Sequence, residues 1–273
     1  MITQSHLCCL AILFLALSNS ANAQQRGTLV WSDEFNGPAG SPIDGTKWVF
    51  DTGGEGWGNK ELEYYTTSPS NAAMDGAGNL MITAIKEAVP TNHRCWYGPC
   101  QYTSARIKTK GKFEQKYGRF EARIKIPSGQ GLWPAFWLLG NNIDSVGWPN
   151  CGEIDIMENI GKEPAIVHAT LHGRGFSSAG IGAGYSLSTG AFREDFHTFA
   201  IEWQPNVIRT YVDDNLYQTR TPKDLSSGAV WAFDHPYFIL LNVAVGGEWP
   251  GNPDSATEFP QKMYVDYVRV YRN

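Results

Sequence analysis

The eight residues from Arg119 to Ile126 alternate without a break. Phe120, Ala122, Ile124 and Ile126 fall on one side, and Arg119, Glu121, Arg123 and Lys125 on the other. A period of two describes a strand with one dry and one wet face. His197 to Trp203, Val207 to Asp213 and Met263 to Tyr271 read the same way. Tyr237 to Val245 is nearly all apolar, as a central strand covered on both faces must be. No stretch beyond residue 23 keeps a helical period for three turns, and Gly and Pro punctuate the chain throughout. These features predict an all-β chain of two packed antiparallel sheets.

The first residues read differently. Leu7 to Leu17 is an unbroken apolar run, and Ala21-Asn22-Ala23 offers the small residues that signal peptidase needs. The n-region is unusual, with His6 and the terminal amine as its only positive groups. A membrane anchor would need about 20 apolar residues, more than this run provides. Cys8 and Cys9 lie inside the run, where a lipoprotein anchor does not place its cysteine. The expectation is a signal peptide at 1–23 and one domain at 24–273, secreted to the periplasm or the medium, with no membrane association after the leader is removed. A monomer is expected. The net charge of −5 argues against nucleic acid and anionic polymers as partners. The 10 Trp and 12 Tyr are more suggestive, because flat aromatic rings are what sugar rings stack on.

Three cysteines follow the leader: Cys95, Cys100 and Cys151. Export permits a disulfide, and CWYGPC at 95–100 looks like a short loop clipped at its ends. Cys151 is then the odd one out, although it could pair with either of the others. A zinc site is the weaker reading, since no second Cys/His pair stands at ligand spacing.

The segment CGEIDIMEN at 151–159 carries the chemistry. Ile154 and Ile156 are β-branched and favour a strand. Alternation puts Glu153 and Asp155 on one face and the two isoleucines on the other. Glu158 has the wrong parity, five positions after Glu153. A one-residue β-bulge near Met157 would return it to the carboxylate face. Three like charges in a row are costly on a structural strand. A retaining glycosidase, however, needs two carboxyl groups about 5 to 5.5 Å apart. A straight strand would hold these two further apart, so a concave sheet is required for their side chains to converge. Crowding also raises the proton affinity of one carboxyl, as an acid catalyst requires. The plain alternative is a solvated acidic edge.

The run Glu153-Ile-Asp-Ile-Met-Glu158 resembles the catalytic signature of family 16 glycoside hydrolases, in the bulged form of their laminarinases. LVWSDEFNG at 29–37, GWGNKELEYYT at 56–66, YGRFEAR at 117–123, GLWPAFWLL at 131–139, HATLHG at 168–173 and VDYVRVY at 265–271 are also similar to that family, in order. The resemblance implies a concanavalin A-like β-jelly-roll sandwich with a concave active-site cleft. It assigns Glu153 as nucleophile, Glu158 as acid/base and Asp155 as the helper between them. Trp133 and Trp137 share a strand face and are expected to stack against sugars; the alternative is that they pack in the sandwich core. His172, which shares a polar face with His168 and Thr170, is expected to hydrogen-bond a sugar. Asn59, Arg106 and Trp249 are placed at the substrate by loop resemblance, though Arg106 could equally serve an ion pair. Family members often carry a structural calcium ion and no catalytic cofactor; the matching positions are Glu34, Gly78 and Asp266, with oxygen ligands.

The implied activity is endo-hydrolysis of β-1,3-glucan by a retaining, double-displacement route. Within the family, lichenase, agarase and carrageenase are the rivals. The lichenase-type signature lacks the residue that Met157 supplies. A non-catalytic glucan-binding module or lectin is the rival of another class. It would have no need of both glutamates.

Overall fold

The computed structural model describes residues 27–88 and 92–272, and the expected leader lies outside the described residues. Two large sheets form the body. The seven-stranded sheet runs Ile181–Ser186, Ile166–His172, Glu153–Glu158, Leu132–Gly140, Tyr237–Val245, Arg106–Lys108, Val49–Asp51, with every pairing antiparallel. The ten-stranded sheet is built around Gly118–Lys125 and Gln261–Arg272. Its flanks are Asn215–Arg220, Val207–Val212 and His197–Gln204 on one side, and Leu80–Lys86, Tyr102–Ser104 and Glu63–Tyr65 on the other. Thr28–Asp33 adds to Gln261–Arg272, and Ala72–Met74 to Leu80–Lys86. The Glu63–Tyr65 and Tyr102–Ser104 pair is parallel.

Alternation dictates the packing. Phe120, Ala122, Ile124, Val265, Val268 and Val270 line the inner face of the large sheet. Phe136, Leu138, Ile154, Val167, Ile239, Leu241 and Val243 face them from the seven-stranded sheet. All are buried. Truncating a side chain as central as Phe136 to alanine would cost about 3–5 kcal/mol. Tyr237–Val245 is buried along its whole length, because its outer face is covered as well. There Leu139, Cys151, Phe238 and Leu240 form a small second cluster. Helix is confined, among the described residues, to one turn at Ile143–Val146 and a 3-10 turn at Pro222–Asp224.

The expected disulfide joins Cys95 to Cys100, and Cys151 is free and buried. Cys95 belongs to a two-stranded hairpin, Arg94–Cys95 with Gly98–Pro99.

Candidate active site

Glu153–Glu158 lies inside the seven-stranded sheet, between Leu132–Gly140 and Ile166–His172. Gly152 leads into it with φ +71°, and a Cβ there would collide with the Tyr237 hydroxyl, so only glycine fits. Asp155 pairs with Thr170 and Glu158 with His168, so Ile156 and Met157 together oppose Ala169 alone. On the other side Phe136 faces Met157 and Trp137 faces Asp155, which leaves Ile156 without a partner. This is the bulge that the glutamate spacing requires. Ile156 and Met157 both pack into the core. Glu153, Asp155 and Glu158 are thereby placed together on the outer face, away from the second sheet.

Indole N–H groups hold the two glutamates. Trp148 Nε1 donates to Glu153 Oε2 at 3.1 Å. Trp133 Nε1 donates to Glu158 Oε1 at 3.0 Å. His172 faces the other two carboxylate contacts. Its Nε2 lies 3.3 Å from Asp155 Oδ2, a charge contact short of regular hydrogen-bond alignment, and 4.0 Å from Glu153 Oε1. Its Nδ1 sits 2.8 Å from the Ser177 carbonyl oxygen. A carbonyl only accepts, so Nδ1 carries hydrogen and Nε2 alone remains to meet the carboxylates. An imidazolium satisfies both contacts. Burial pulls the His172 pKa down, but the close contact and charge of Asp155, with the charge of Glu153, outweigh it and lift it to about 10.

The carboxyls divide accordingly. Burial pushes Glu153 up to about 8, helped by the charge of Asp155 and opposed by His172 and Arg106. Burial also raises Asp155, and His172 opposes the shift. Glu158 is raised well above the usual range by burial and then by the charges of Asp155 and Glu153. It has the Trp133 N–H beside it but no cation in contact, so it is the carboxyl best suited to keep a proton.

The remaining expected site residues lie on the same face, with altered duties. His172 has both ring nitrogens engaged by the protein, so it orients and charges the carboxylates and does not present a free nitrogen to a sugar. Trp137 donates its N–H to Asn242 Oδ1 at 2.8 Å, and the Arg106 guanidinium lies 4.8 Å from its ring centre. Arg106 also lies 4.7 Å from the Trp57 ring and 3.1 Å from Asp51, so the ion-pair reading holds and its guanidinium stands on the face that carries Trp137. Trp249 stands edge-on to Trp133 and to His168, at 5.5 and 5.1 Å. Asn59 donates to Glu61 Oε1 at 3.0 Å, and its carbonyl accepts from the Glu248 amide.

Sequence reasoning missed what stands behind Asn59. Glu61 accepts from Tyr65 Oη, which in turn accepts from Asn242 Nδ2, linking the Asn59 turn to Trp137. Glu63 is fully buried and accepts from the Val245 amide. Burial raises both acids, and the charge of Glu61 adds to the shift at Glu63. Trp148 was missed as well. It stands in a polar loop, and nothing in its local pattern points to Glu153.

The positions expected to hold calcium come from adjoining segments. The register places Asp33 opposite Val268, and a Cβ on Gly78 would lie 3.5 Å from Asn36 Oδ1. The carboxylates are already engaged, however. Arg269 holds Glu34 through two bonds of 3.0 and 2.7 Å, and Arg123 lies 2.6 Å from Asp266. Both Glu34 oxygens and Asp266 Oδ2 are thus engaged by arginines, so a cation there would draw on backbone carbonyls and Asp266 Oδ1, as one carboxylate with carbonyls allows. Among the described residues, Glu153, Asp155 and His172 are the one group whose ligand atoms lie within 4.8 Å of one another, and the ion pairing above accounts for them.

Comparison with known proteins agrees with this geometry. The chain is 45% identical over 252 residues to a beta-glucanase of Rhodothermus marinus, covering 89% of this chain and 85% of that one. The solved laminarinase catalytic domain of Thermotoga maritima superposes with a TM-score of 0.84 at 50% identity, over 91% of this chain and 99% of that one. The endo-beta-1,3-glucanase of Pyrococcus furiosus gives 0.82 at 50% identity, over 89% and 93%. The sequence pattern of the glycosyl hydrolases family 16 matches residues 60–269. The chain therefore belongs to family 16 of the glycosyl hydrolases, and its two sheets form that family's jelly-roll sandwich.

Proposed function

We propose that this enzyme is a secreted, retaining endo-hydrolase of β-1,3-glucan, with Glu153 as nucleophile and Glu158 as acid/base. The observation that carries the assignment is the unequal surrounding of two carboxyls on one bulged strand. Glu153 has His172 near it and accepts from Trp148, which favours the ionised form. Glu158 feels His172 only at longer range, and burial and the charges of Asp155 and Glu153 favour its proton. In the first step Glu158 gives its proton to the glycosidic oxygen as that bond breaks, while Glu153 closes on the anomeric carbon. In the second, Glu158 takes a proton from water, which displaces Glu153 from the sugar. Two inversions restore the starting configuration. Asp155, paired with His172, holds negative charge between the glutamates and disfavours ionisation of both at once. The scheme moves protons and one glycosyl group and needs no cofactor.

β-1,3-Glucan is favoured over sulfated galactans because each sulfate would need a charge-assisted partner. Arg106, the arginine in contact with Trp137, is already paired with Asp51. A polymer substrate outside the cell accounts for the apolar run at 7–17, and processed protein should begin at Gln24. A structural calcium ion at Glu34, Gly78 and Asp266 would show as a melting temperature that falls on chelation. Arg123 and Arg269, which occupy those carboxylates, weigh against a large effect.

A substrate panel tests the function. Laminarin should be cut fastest and mixed-linkage β-glucan second, with no action on agarose, carrageenan, cellulose or xylan. Early products should form a ladder of short oligosaccharides, and NMR should show the β anomer first. Azide should rescue Glu153→Ala on an activated aryl glycoside with inverted product, and Glu158→Ala with retained product. Preference for agarose would overturn the substrate, and inversion by the wild type would overturn the mechanism.

A further inference from the structure

Among the described residues, the tryptophans exposed by more than a third are Trp96, Trp148 and Trp249. Trp148 holds Glu153, and Trp249 stands against Trp133, so two of the three already belong to the active-site face. Trp96 is the most exposed, at 51%, yet its ring is fixed. Its indole N–H donates to the Glu61 carbonyl at 2.8 Å, and its amide donates to the Gly54 carbonyl at 2.8 Å. A Cβ on Gly56 would strike the ring at 2.9 Å, so the glycine makes room for it. Orientation fixed by polar bonds with an open face is the arrangement of a stacking platform.

Its support is unusually firm for a surface loop. The Cys95–Cys100 disulfide closes the hairpin, and the Tyr97 hydroxyl donates to the Leu62 carbonyl at 2.7 Å. The hairpin thus rests on the 54–62 segment, whose other residues include Trp57 over Arg106 and Asn59 beside Glu248. That segment follows the edge strand Val49–Asp51 but pairs Glu61 with Gly246, just past Tyr237–Val245, which lies two strand steps from Glu153–Glu158. Two strand steps are roughly 10 Å at the usual spacing, and Trp96 is bonded to the Glu61 carbonyl and to no catalytic carboxyl.

We infer that Trp96, held by the disulfide-closed hairpin, is a distal binding platform for an uncharged β-linked glucose ring of a long chain. An all-equatorial glucopyranose offers apolar C–H faces that suit an open indole, and the neighbouring Trp57–Arg106–Trp137 stack continues toward the carboxylates. The inference rests on the glucan reading above. Its consequence is length dependence: Trp96 strengthens the hold on polymer without touching the reacting bond.

The test compares long laminarin with a short aryl laminaribioside. Trp96→Ala should raise KM for laminarin about tenfold, the equivalent of one good aromatic contact, with kcat unchanged. Its kinetics on the short glycoside should equal those of the wild type. Trp96→Tyr should recover most of the loss. The Cys95→Ser, Cys100→Ser double variant should reproduce the length-dependent loss with Trp96 intact. The short glycoside reports on folding in every variant, because it needs the carboxylates but not the hairpin. Unchanged KM on laminarin, or equal losses on both substrates, overturns the platform while leaving the glucan reading intact. A wild type inert on laminarin overturns both.

Discussion

The outer faces of the two sheets carry the same kinds of residue and treat them in opposite ways. On the ten-stranded sheet Glu34, Glu121 and Asp266 each meet a guanidinium. Arg119 lies 2.8 Å from Glu121, 2.8 Å from Asp214 and 3.5 Å from Glu202, and Arg269 grips Glu34. The bond to Arg269 lowers the Glu34 pKa. On the seven-stranded sheet three acids share His172, and burial raises all three. Acids balanced by cations hold a structure together, whereas acids left in excess store protons for chemistry. The contrast predicts that substitutions on the two faces will separate stability from rate.

The largest effects belong to Glu158→Gln and Glu153→Gln. Each should slow laminarin hydrolysis by at least about 10²–10⁴-fold, and each should melt higher than the wild type at neutral pH. The sign follows from the raised pKa values. A carboxyl whose folded pKa lies above its unfolded one costs stability as pH rises past the unfolded value, and glutamine removes that cost. The gain should vanish near pH 4 and grow toward pH 8. Lower melting temperatures together with retained activity would erase the distinction between the faces.

Arg119→Leu should do the reverse. It strips the cation from buried Glu121 and should cost about 3–5 kcal/mol, read as a lower midpoint in urea. Below its transition the variant should keep wild-type kcat, and a loss of kcat would tie the far sheet to catalysis. His172→Gln comes next. Without the imidazolium, Glu153 and Asp155 hold protons more tightly, so the acid limb of the rate profile should move to higher pH. An unmoved limb would take His172 out of the charge balance. Glu34→Gln should be smallest, within about 1 kcal/mol, because its pair with Arg269 is partly exposed and screened. That contribution exists above the ordinary glutamate pKa and fades as pH falls through the depressed folded value, so wild type and variant should converge in acid.

Much of the site was legible because strands have a parity. The odd count between Glu153 and Glu158 demanded a bulge, and the alternation of Trp133 and Trp137 against Phe136 and Leu138 gave the face. The inward row of Phe120, Ala122 and Ile124 came from the same rule. What parity could not supply were partners remote in sequence. Glu61 and Glu63 stood in the run at 56–66 with no partner in view, yet Tyr65, Asn242 and the Val245 amide surround them. His172 looked like a ligand for sugar because the Ser177 carbonyl lies in a loop with no pattern of its own. The Arg123 contact to Asp266 was equally hidden, because it reaches across paired strands.

The bulge at Ile156 and Met157 also acts as a key during assembly. Both neighbouring strands are rephased by the same single residue, so three strands must agree before any of them seats. A slip of one position would turn Glu153 and Asp155 toward the apolar interior and expose Ile154. The defect that aligns the reacting groups therefore also rejects wrong pairings. Sequence changes around it will be felt first in the yield of correctly folded enzyme, and only afterwards in the speed of the molecules that survive.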